Sequence, residues 1–198
     1  PCAILDACGS KFPSDESESV TRDRNRRERR EFLEHLRADL RLAHGGALLV
    51  APRLLRRVTK ATSTATQSGL HVPHGSCCAL GRDVLLRHVS ARELRVSADS
   101  LPQQVYLLVE PERTALQSRS SEQLHRQYWR LLFHAMIHGR LNERRQRGEL
   151  NHAYVLEQVL RIGQTQFDEI RAMLQHENLL VEPHDDVSTY CELVALYL

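Results

Sequence analysis

SSEQLHRQYWRLLFHAMIHGRLNERRQRG, residues 120–148, decides how the rest of the chain is read. Ser120, Ser121 and Glu122 supply a helix start and Gly148 a stop, so the stretch predicts one helix running to about Arg147. Within it, LLFHAMIHGRLN (131–142) places His134 and His138 four residues apart. At about 100° per residue these two lie roughly 40° from each other, on the stripe Gln127, Arg130, His134, His138, Leu141. From Leu131 to Ile137 every residue but His134 is apolar, which predicts burial on all sides.

Working outward, residues 151–162 form a second predicted helix ending at Gly163, and Thr165 caps a third over 166–177. Pro183-His184-Asp185-Asp186 is a turn whose aspartates cap a fourth helix beginning near 187. Towards the other end, 9–20 (GSKFPSDESESV) is polar and acidic and reads as a linker or disordered arm. Residues 21–44 follow as a helix, with Phe32, Leu33, Leu36, Leu40 and Ala43 at helical spacing and Gly45-Gly46 closing it. The stretch 47–60 shows helical spacing around Pro52, which suits a first helical turn, and 61–69 is a polar loop. Between 71 and 110, VLLRHV and VYLLV are short apolar runs that periodicity does not assign to strand or helix. The expected fold is mainly α: a C-terminal helical bundle with a smaller mixed α/β or irregular middle region. It divides as an arm over 1–20, a helical and mixed region over 21–118, and the helical region 119–198 that carries the histidines. No internal repeat is present.

A formal charge of +2 singles out no partner class, and 41% apolar residues suffice for a globular core. The Arg cluster at 22–30 is interleaved with Asp23, Glu28 and Glu31 and lacks aromatic residues, so it reads as a solvated helix face, with no nucleic acid expected. Five cysteines, Cys2, Cys8, Cys77, Cys78 and Cys191, are odd in number and irregular in spacing, which favours a reducing, cytoplasmic setting. No apolar run approaches the roughly 20 residues that span a bilayer. The start PCAILDACGS has no signal-peptide pattern. A start at Pro1 and a stop inside ELVALYL read as those of a fragment or processed product.

Two imidazoles side by side in an apolar helix each need a hydrogen-bond partner, or together one metal ion. The stretch FHAMIH resembles the H-E-x-x-H helix of the zincin metallopeptidases, with His134 and His138 in the ligand positions. The resemblance spans one helix. It implies a zinc ion, a protein or peptide substrate, and a glutamate after the first histidine that activates a water on the zinc. This chain has Ala135 at that place. Alanine takes no proton, so the resemblance implies a domain that does not cut, whether a natural degenerate member or one with a deliberate replacement.

Zincins take their third ligand from later sequence. Glu192 is the preferred candidate, as the lone charge in TYCELVALYL; its competing role is a capping box with Thr189. Glu169 stands behind it, because on its helix it points away from the stripe Phe167, Ile170, Met173 and Leu174. His71-x-x-His74-x-x-Cys77-Cys78 offers four soft ligands but no second, separated pair, so buried cysteines and loop histidines are the expectation. Glu122-x-x-His125 and Glu149-x-x-His152 match an element of di-iron bundles without the carboxylates such a site needs. Phosphate-loop, dinucleotide and nucleophile-elbow motifs are absent. The expectation is therefore a zincin-like metallopeptidase domain, zinc-binding and inactive as written, with no membrane association and no assigned oligomeric state. Its alternative is a non-catalytic helical interaction module with structural histidines.

Overall fold

The computed structural model describes residues 15–65, 76–177, 179–180 and 185–197, and the chain divides into two compact units, Pro1–His35 and Leu36–Leu198. Helix α1, Asp15–Ala43, runs through both. It starts inside the stretch expected to be an arm, because Ser, Asp and Glu are as suited to a helix start as to a disordered segment. In the first unit Arg27 and Glu31 pair one turn apart at 2.9 Å.

The second unit is mainly α, with a small mixed sheet among the described residues. After α1, Gly46 crosses the sheet edge where a Cβ would lie 2.4 Å from the Gln104 carbonyl oxygen, so only glycine fits. Strand β1 (Ala47–Val50) follows, then α2 (Pro52–Ala65), β2 (Cys77–Gly81), α3 (Arg82–His88) and α4 (Ala91–Leu94). A 3-10 turn at Ala98–Ser100, β3 (Gln104–Val109) and α5 (Ala115–Ser118) complete the middle region. ALLV at 47–50 is thus a strand and the helix begins at Pro52, which corrects the single helical stretch expected over 47–60. Buried strands read as continuous apolar runs, and over four residues that pattern does not differ from a helix face. VLLRHV is helical and VYLLV is β3.

The sheet order is β1-β3-β2, with β1 parallel and β2 antiparallel to β3. Its faces follow from alternation. Leu48, Val50, Cys78, Leu80, Val105 and Leu107 join α2 and α3 in one core. The opposite face, with Cys77, Ala79, Tyr106 and Leu108 in register, meets α6 (Ser121–Gln146), which packs on β2 and β3. Gly139 makes the approach close: a Cβ there would lie 3.0 Å from the Tyr106 hydroxyl. Tyr128 is buried and donates its hydroxyl to the Val109 carbonyl at 2.6 Å.

Three further helices, α7 (His152–Ile162), α8 (Gln164–His176) and α9 (Asp186–Tyr197), pack with α6 into the C-terminal bundle. Val155, Val159, Phe167 and Cys191 fill its centre with Leu141 and Leu150. Ser120 caps α6 in a capping box with Gln123, and Asn151 caps α7. Gly163, at φ 98°, both ends α7 and starts α8, so Thr165 is not the cap. On α8 the buried stripe is narrower than expected, with Phe167 and Leu174 buried and Met173 exposed. Among the described residues no helix is long and apolar enough to cross a membrane.

Candidate metal centre

Helix α6 carries both histidines on the line that faces α9. His134 and His138 are 8% and 2% exposed, and Glu192, from the middle of α9, is 4% exposed. Their ligating atoms all lie within 4.8 Å of one another. The two Nε2 atoms are 3.1 Å apart. Glu192 bridges them, Oε1 at 3.3 Å from His138 Nε2 and Oε2 at 3.8 Å from His134 Nε2. Two donors, each about 2.1 Å from a tetrahedral ion, stand about 3.4 Å apart, and the three observed separations bracket that value. This buried group can hold a metal ion.

The lone pairs are oriented for it. His134 Nδ1 lies 3.2 Å from the Ala195 carbonyl, which only accepts, so that nitrogen carries the proton. In the neutral ring with that tautomer Nε2 keeps its lone pair towards His138 and Glu192, the arrangement a metal-ligating histidine adopts. Glu192 Oε2 is buried without a hydrogen-bond partner among the described residues, as is His138 Nδ1. A buried carboxylate oxygen left without a donor is costly unless a cation completes it.

Glu192 reaches this place because α9 begins one turn earlier than a Thr189 cap would set it. Asp185 is the cap, accepting from the Ser188 amide at 2.7 Å. Thr189 sits one turn inside and donates its hydroxyl to the Asp185 carbonyl at 2.9 Å. The Thr189–Glu192 capping box is therefore not formed. Glu169 is exposed on α8 and does not join the cluster. His125 pairs with Asp39 at 3.0 Å, Glu122 with Arg126 at 2.9 Å, and Glu149 with Arg144 and Arg147, so neither E-x-x-H element builds a second centre. His71 and His74 lie outside the described residues. Cys77 and Cys78 face opposite sides of β2, which prevents both from meeting one ion. Cys77 lies on the side of α6; burial, then Cys78 and then Glu192 push its thiol up to about 12, so it is a neutral thiol.

Beside the centre, α6, Ser76 and the end of α9 enclose a cleft of about 830 Å³, with His134 on its wall. The sequence did not point to most of it. Full burial was expected from Leu131 to Ile137, yet Phe133 is 52% exposed and lines the opening. An apolar residue at the rim of a cleft looks, in sequence, like one in a core. The Ala195 carbonyl was not foreseeable either, since a backbone acceptor leaves no residue-type signal. Ala135 is fully buried on the stripe Tyr128, Leu132, Ala135, Gly139. It does not line the cleft, and among the described residues no carboxylate does. No family model, curated protein or solved structure matches the chain.

Proposed function

We propose that the chain is a zincin-like metallopeptidase domain without peptidase activity. Zinc is held by His134, His138 and Glu192, and a protein or peptide occupies the adjoining cleft. The observation that carries this reading is the convergence of two imidazole nitrogens on a buried carboxylate, with the His134 proton turned outward to Ala195. Zinc supplies a Lewis acid in such a site. The residues do the rest. His134 and His138 fix the ligand side of the centre, and Glu192 ties α9 to α6. With Ala135 after the first ligand and no carboxylate among the described residues lining the cleft, no described carboxylate is placed to take a proton from an attacking water.

The metal content of the purified chain tests the reading: about one zinc per chain, removable by a chelator, is expected from a site with three protein ligands. No bound zinc would overturn it. Ala135→Glu tests the peptidase part separately. Chelator-sensitive cleavage of a peptide supports it, whereas zinc binding without cleavage reduces the centre to a structural metal site. The second reading, a non-catalytic interaction module with structural histidines, is favoured by the exposure of Trp129 and Phe133 on α6, and it is the one left if no zinc is found.

A further inference from the structure

The cleft beside the metal centre is cationic. Arg119, Arg126 and Arg130 line it, and among the described residues no acidic one does. Arg119 is hydrogen-bonded to the neutral Gln127. Arg126 pairs with Glu122 at 2.9 Å, both side chains being well exposed, and such a pair is worth little and exchanges readily. Arg130 has no ion-pair or hydrogen-bond partner among the described residues. Leu196 of α9 and Phe133 add apolar lining to the same cleft. Three arginines line one opening, and the one carboxylate paired with any of them, Glu122, is exposed and is not among the lining residues, a charge pattern that calls for an anion.

The spacing narrows the choice. Arg126, Arg130 and His134 are successive residues four apart on one helix, so each step along the cleft rises about 6 Å. In an extended peptide, side chains on the same edge recur every second residue, about 6.6 Å apart. We infer that this cleft takes an extended acidic peptide, whose carboxylates at alternate positions meet Arg126 and Arg130. The residue between them turns to Leu196, and the chain leads on towards His134. That the anion is a peptide rests on the zincin-like reading; its charge rests on the arginines. A nucleic-acid strand fits less well, since among the described lining residues Phe133 and the mostly buried His134 supply the only rings and single strands bind on successive stacking platforms.

The test is fluorescence anisotropy on the full, zinc-loaded chain with three labelled alanine-leucine peptides. They carry two glutamates at alternate positions, two adjacent glutamates, or two glutamines at alternate positions. The alternate-glutamate peptide is expected to bind about tenfold or more tighter than its glutamine counterpart, and tighter than the adjacent-glutamate one. Arg126→Gln and Arg130→Gln each remove most of that preference while leaving zinc content unchanged. Added salt weakens it, as exposed charges require. Equal affinity for glutamate and glutamine peptides overturns the inference, as does tighter binding of a mixed-sequence single-stranded oligonucleotide. The peptide comparison on the unmodified chain decides this even if a variant folds poorly. Zinc content is measured on the same samples. Zinc without charge discrimination defeats this inference alone, and arginine-dependent acidic binding without zinc defeats only the metal reading.

Discussion

Glu192 Oε1 stands 3.3 Å from His138 Nε2, a contact that joins the middle of α9 to the middle of α6 with both side chains almost wholly removed from solvent. Such a pair binds its two helices together only while both members are present. Glu192→Ala leaves two neighbouring imidazoles and a void where the carboxylate was. We expect it to abolish metal binding and to cost about 3 kcal/mol of stability. Glu192→Gln keeps the shape and loses the charge, so it should weaken metal binding strongly with a smaller loss of stability. Urea denaturation of the metal-free variants alongside zinc titrations checks both. Equal loss of stability in the two would show that packing, not charge, governs the contact.

Metal should act as a stabiliser of the native chain. If zinc is the ion, as proposed, holding it one hundredfold above its dissociation constant should add about 2.7 kcal/mol. For a domain of this size that raises the melting temperature by roughly 5–10 °C. Differential scanning calorimetry with and without chelator reads the shift directly. His138→Ala removes a ligand, and its melting temperature should not respond to zinc.

Gly139 sits where α6 crosses β3. The Tyr106 hydroxyl would be 3.0 Å from an added Cβ, and the Gln104 amide 3.3 Å. Gly139→Ala gains helix propensity of about 1 kcal/mol, but it forces the helix away from the sheet. The expected net effect is a loss of about 1–2 kcal/mol. Tyr106→Phe on the same background removes the nearest atom and should recover part of it. A Gly139→Ala protein as stable as the parent would mean that the helix seat yields freely.

At the acid end of the pH range Glu93 contributes to stability from the surface. Hydrogen bonds from the Arg57 guanidinium, and then from Ser90, hold the Glu93 carboxyl at about 2, down from its ordinary 4.5. Because the folded value lies below the unfolded one, this group favours folding above about 4.5, and the contribution is lost as pH falls towards 2. The pair is exposed, so the effect is small and diminishes with salt. Melting temperatures of Glu93→Gln and the parent should therefore converge as pH drops through that window. A constant difference between them at all pH values would contradict the assignment.

The long helix and the histidine pair were legible because both depend on spacing within one element. A start at Ser120, a stop at Gly148 and two residues four apart survive any tertiary arrangement. Glu192 was legible as a lone charge in an apolar run, and the resemblance set it beside His134 and His138, the group the fold brings together; the run alone could not, since that depends on how α9 docks on α6. ALLV at 47–50 misled because four apolar residues next to a proline suit a buried strand as well as a helix face, and only pairing with β3 decides. Phe133 misled for a related reason. Hydrophobicity registers what a residue can bury, and whether a neighbouring helix covers it is fixed elsewhere. The arginine wall was visible only piecemeal: Arg130 stood out on the histidine stripe, whereas Arg126 one turn before it and Arg119 ahead of the helix did not.

The bridging position of Glu192 also sets an order of events. His134 and His138 exist as a pair as soon as α6 has formed, but they have no carboxylate until α9, many residues later in synthesis, has docked against them. If the group holds a metal as proposed, a nascent chain presents two imidazoles with little hold on an ion, and firm capture has to wait for the last described helix. Ion loading would then report completed tertiary assembly, and a chain that failed to seat α9 would be marked by its inability to retain metal.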